Sequence, residues 1–159
     1  MGLDATVYCN CFENGKLKEL PPYIDSIFVD VDGGLTCKSE NFDTLLEFDQ
    51  WIYHRACEHK NGILLHHRIG NIALVALLRG ELSREIEKIP VILQKIIYNG
   101  IHGGDFLSLD DVRILQNELD YLADFVASSE RNQQFVNDFR QQLIELTNTA
   151  LEVEKPISF

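Results

Sequence analysis

Two apolar stripes in the second half of the chain leave little freedom in how it can fold. Val112, Leu115, Leu119, Leu122 and Val126 recur at intervals of 3, 4, 3 and 4. Phe135, Phe139, Leu143, Leu146 and Ala150 repeat the same pattern after a break at Ser128-Ser129. Such spacing puts one apolar face on each of two long helices. A short polar connection between them predicts an antiparallel pair. Ser108 followed by Asp111 is a capping box at the start of the first, with Leu107 and Val112 placed as its hydrophobic staple. A pair of helices with one apolar face each needs something to cover it, and the first 70 residues supply it.

Those residues are strand-rich. Ala5 to Cys9 and Ser26 to Val31 are β-prone runs, the second ending at Asp32-Gly33-Gly34. Leu35-Thr36-Cys37 could return as a third strand. Leu45, Phe48, Ile52 and Ala56 predict a helix face, with Thr44 and Glu47 as its capping box and Asn61-Gly62 as its end. Ile63 to Ile69 reads as a strand with His67 on its apolar face and His66 and Arg68 on the other. Asn71 is a candidate N-cap for a helix striped by Leu74, Leu78, Leu82 and Ile86. Val91 to Tyr98 favours a buried helix, with its β-branched content leaving a strand open. The expected architecture is α+β: one domain over residues 1–159, a small, mainly antiparallel sheet from residues 1–70, about five helices, a helical part over 71–154 and a loose tail at 155–159.

The net charge of −11 is uneven. From Gly100 to Glu154 eleven acids face three arginines. Such a surface repels phosphate backbones, so nucleic acid is not an expected partner, whereas a basic protein is. The same acids would also serve as a solvated face that keeps the chain soluble. No apolar run reaches the length of a membrane span, and no basic-then-apolar leader opens the chain. A cytoplasmic location is therefore expected, with cysteines 9, 11, 37 and 57 unpaired.

Three constellations carry possible chemistry. Cys9-Asn10-Cys11 and Cys57-Glu58-His59 together offer three sulfurs and an imidazole, a permissible set for zinc, although i, i+2 ligands diverge on a regular helix and the second pair requires the helix to fray at Cys57. The alternative is that these cysteines are small buried hydrophobes. Tyr98-Asn99-Gly100-Ile101-His102-Gly103-Gly104-Asp105 is a glycine-rich turn that would hold His102 and Asp105 together as an acid/base pair, or only build the turn. His66 and Arg68 share a face that could bind an anion or a carboxylate.

Ile27 to Leu35, with Asp30-Val31-Asp32-Gly33-Gly34, resembles the haloacid dehalogenase motif. That resemblance implies Asp30 as nucleophile, Asp32 as acid/base, and Gly104-Asp105 with Asp110 and Asp111 as a magnesium site. Gly34 stands where the family has threonine, and the alternating strand–helix rhythm of a parallel sheet is missing. The same loop does not fit an EF-hand, since Leu35 and Asn41 occupy its glycine and glutamate positions. The stretches Gly2 to Glu13, Cys57-Glu58-His59, Arg68 to Ile72 and Tyr98 to Asp105 together resemble a family of small bacterial proteins of unknown function. This implies a bacterial cytoplasmic protein and no activity. Three functions follow as expectations: an interaction or immunity-type protein with an acidic C-terminal surface, a metal-dependent hydrolase around His102 and Asp105, and a structural zinc protein.

Overall fold

The computed structural model describes residues 2–99 and 104–159. Its strands are β1 (Gly2–Tyr8), β2 (Ile27–Val29), β3 (Leu35–Cys37), β4 (Ile63–Asn71), β5 (Phe106–Leu107) and β6 (Ile157–Ser158). Its helices are α1 (Phe42–His54), α2 (Ile72–Leu82), α3 (Leu109–Tyr121) and α4 (Glu130–Val153), with a π-helical turn over Ile92–Ile96. The architecture is α+β.

β4, β1, β6 and β5 lie in that order in one antiparallel sheet. Leu3, Ala5 and Val7 alternate into the core from β1 and are fully buried, the period-2 placement expected of a strand with one covered face. They meet Val75, Leu78 and Leu82 of α2, Ile92 and Ile96 of the π-helical turn, and the stripes of α3 and α4. A second, smaller core joins Ile27, Cys37, Phe48, Trp51 and Ala56, where α1 covers the separate β2–β3 hairpin.

The Asn71 and Ser108 caps stand as the sequence predicts, while several other helix ends do not. Asn71, Ser108 and Ser129 cap α2, α3 and α4 through side-chain acceptors. The cap of α1 is Asn41, which accepts from Asp43 and Thr44 N–H, so Thr44 lies inside the helix rather than at its boundary. Val126 and Ile86 are 72% and 49% exposed. Both stripes lose their last member because α3 ends at Tyr121 and α2 at Leu82. Two expectations need correction. The sheet is not confined to the first 70 residues, because β5 and β6 supply half its strands. Residues 155–159 are not a loose tail. Ile157 is fully buried, and Ser158 pairs with Thr6 on one side and Phe106 on the other. This pentapeptide is too short to show a period, but α4 delivers it to the open edge of β1. Lys155 is only 4% exposed, donating to Gly33 O at 3.0 Å and pairing with Glu13.

Candidate metal centre

The antiparallel pairing Tyr8↔Ile63 brings the end of β1 beside the start of β4. Whatever follows Tyr8 must therefore lie near whatever precedes Ile63. That register carries Cys9 and Cys11 to Cys57 and His59, 48 residues along the chain. Cys9 N–H donates to Gly62 O at 2.7 Å, which locks the two loops together. The second loop turns through Asn61 and Gly62, both at positive φ (55° and 66°). Gly62 N–H donates to His59 O at 2.9 Å and holds the histidine in place. α1 has already ended at His54, so Cys57 and His59 sit on an irregular loop. The divergence of i, i+2 side chains on a helix does not apply to them.

One donor atom from each of Cys9, Cys11, Cys57 and His59 lies within 4.8 Å of every other. The Cys9 Sγ to Cys57 Sγ distance is 3.8 Å. Cys11 Sγ and Cys57 Sγ are 3.5 and 3.8 Å from His59 Nδ1. Zinc bonds of ordinary length around a tetrahedron would give S···S edges of about 3.8 Å and S···N edges of about 3.6 Å. The four donors could thus hold one metal ion with little movement.

Electrostatics sets what a bound cation would have to offset. Burial pushes the Cys9 thiol up to about 12, with the neighbouring Cys57 and Cys11 sulfurs adding to the shift. Burial also raises Cys11, opposed in part by its hydrogen bond with Cys9 and, less, by Lys16. Three thiolates this close would repel one another, and a divalent cation among them reverses that balance and deprotonates its ligands. Cys37 belongs to the small core and takes no part.

The loops are anchored to the C-terminus. Asn10 Nδ2 donates to Val153 O at 3.2 Å, and Glu13 pairs with Lys155. A Cβ at Gly33, whose φ is +90°, would meet the Pro156 ring at 3.0 Å. Neither Lys155 nor Ser158 was singled out by sequence reasoning; an Asp-Gly-Gly turn and a distant lysine share no sequence signal.

The other candidates are placed as follows. Asp30 and Asp32 lie in the β2–β3 turn. Asp30 Oδ1 accepts from Val31 N–H, and Asp32 accepts from Gly34 N–H and Ser158 Oγ. β2 and β3 are antiparallel, so Asp30 does not follow a parallel strand as the haloacid dehalogenase resemblance implies. Burial, then the nearby Asp32 charge, raises the Tyr8 phenol. Asp105 accepts from Tyr98 Oη at 2.6 Å, while His102 lies outside the described residues. His66 Nδ1 is 3.1 Å from Thr6 Oγ1, and Arg68 lies opposite Asp4 on β1. His67 Nε2 lies 2.8 Å from Glu145 Oε2, a hydrogen-bonded histidine that is partly exposed rather than in the core.

Comparison with protein-family models, curated proteins and solved structures gives no match. No helix among the described residues is long and apolar enough to cross a membrane.

Proposed function

We propose that this is a non-catalytic interaction protein whose small lobe is clasped by one structural zinc ion. The observation that carries this reading is the convergence of three sulfurs and one imidazole nitrogen within 4.8 Å. Four protein ligands complete a tetrahedron and leave no position for water or substrate, which is the arrangement of structural zinc. Thiolate and imidazole donors disfavour magnesium and calcium, which take oxygen. The net charge of −11 favours encounter with a basic partner.

The test is a metal count on untagged protein purified without chelator. One zinc per chain is expected, lost in Cys57→Ser. Cobalt replacement should give the intense visible bands of tetrahedral thiolate coordination. Protein that carries no zinc and takes none up, or zinc retained after Cys57→Ser, would refute the site.

A further inference from the structure

The small lobe has a surface that the metal does not explain. Between Glu19 and Asp49 there are eight acids and one lysine. The acidic character is therefore not confined to the C-terminal helices, as the charge distribution first suggested. The same lobe is unusually apolar outside. Of the fourteen exposed large hydrophobic residues among the described residues, eight lie between Leu20 and Tyr53. Acid and exposed apolar surface coincide there, which is unlike an ordinary solvated face.

α1 arranges the two in order. Phe48 and Trp51 point into the small core. At 100° per residue, Phe42, Leu46, Asp49 and Tyr53 fall within an arc of about 60° on the opposite side. Phe42 is 74% exposed, Leu46 45% and Tyr53 38%. Asp43 and Glu47 flank this stripe, and no lysine or arginine occurs between Lys38 and Arg55. Asp49 also borders a cleft of about 270 Å³ that it shares with Asp30, Asp32, Thr36, Asn61 and Tyr8. On its other side, Asp49 and Tyr53 line a wider depression with His54 and Asn61. Lys60 Nζ stands 4.2 Å over the Tyr53 ring, so that ring already accepts a cation on its face.

We infer that the outer face of α1, with the adjoining Asp30–Asp32–Asp49 cleft, docks a basic amphipathic segment of a partner protein. Its apolar side chains lie along Phe42, Leu46 and Tyr53. A lysine or arginine beside them reaches the cleft carboxylates, and further cations meet Asp43 and Glu47. The carboxylates supply register and encounter rate, while the apolar stripe supplies the buried contact. This rests on reading the chain as an interaction protein and is independent of the zinc.

The experiment titrates the whole protein, its zinc content counted, with an 18-residue leucine/lysine amphipathic helix. Backbone amide shifts are mapped by NMR, and affinity is read by fluorescence anisotropy. Shifts should centre on residues 42–53 and the β2–β3 turn. Phe42→Ser/Leu46→Ser and Asp49→Lys should each weaken binding by about tenfold or more, while Asp120→Lys on α3 changes it by less than about twofold. All four substituted positions are exposed, and circular dichroism reports that the fold is kept. A scrambled peptide of the same composition should bind more weakly, because its charges no longer lie opposite one apolar face. Shifts centred on α3 and α4 would overturn the docking surface while leaving an interaction protein with a basic partner. Equal binding of the scrambled peptide, or no binding, would overturn the inference outright.

Discussion

If the proposed zinc is bound, removing it should destabilise the chain by about 4 kcal/mol, a value that follows from the connectivity of the site. An ion there would join Cys9 to Cys57 across 48 residues. Treated as a cross-link over a loop of that length, it removes closure entropy from the unfolded chain worth about 4 kcal/mol at 25 °C. This is the effect of a metal that stays on the cysteines of the unfolded chain; release on unfolding, with free metal in excess of its dissociation constant, increases it. For a chain of this size, about 2–4 °C per kcal/mol converts the loss into a fall in midpoint of about 8–16 °C. The assay is thermal unfolding with one equivalent of zinc and with excess chelator, for the native sequence and for Cys57→Ser. The native protein should show the fall, Cys57→Ser should be insensitive to chelator, and the two should nearly coincide once metal is gone. Hydrogen exchange should place the loss in residues 9–16 and 55–63 first, since the large core does not depend on the clasp. Equal midpoints with and without metal, after zinc has been shown to leave, would refute the reasoning. So would a Cys57→Ser deficit that persists undiminished in chelator, because packing and not coordination would then explain it.

Glu118 is only 3% exposed, and its two oxygens accept from Val91 and Ile92 N–H at 2.8 and 2.9 Å, capping the helical segment that follows Pro90. Glu118→Ala leaves two buried donors orphaned and should cost about 2–4 kcal/mol in urea denaturation. Burial holds this carboxyl above the ordinary range despite the two N–H groups. Between the ordinary and the raised value the native state binds more protons than the unfolded chain. The stability contribution of Glu118 therefore rises as pH falls through that window, and Glu118→Gln should flatten this part of the stability–pH curve. Ile157→Ala empties a fully buried position on β6, with an expected loss of about 2–4 kcal/mol by the same denaturation assay. Gly62→Ala places a side chain at φ +66°; about 1–2 kcal/mol of strain there should also weaken zinc affinity, measured by competition with a chromophoric chelator.

Much of the fold was legible in single residues and their spacing. Asn71 and Ser108 cap α2 and α3 because a short acceptor before an apolar period satisfies orphan N–H groups wherever the helix goes. The four candidate ligands could be chosen by donor type alone. Their spacing argues against them only if α1 runs as far as Asn61-Gly62. What the spacing could not reveal was that α1 stops at His54 and that Tyr8 pairs with Ile63.

The sequence by itself determined the local periods, the caps and the chemical character of the donors, because those depend on neighbours within a few residues. Only the tertiary structure decided the rest. Strand register made the four donors converge, and the descent of α4 brought Lys155 and Ile157 into the core. The packing of Phe48 and Trp51 turned the opposite, acid-flanked stripe of α1 outward. Each of these joins residues far apart in the chain, and such contacts arise from burying shared apolar surface rather than from any preference written in a short segment.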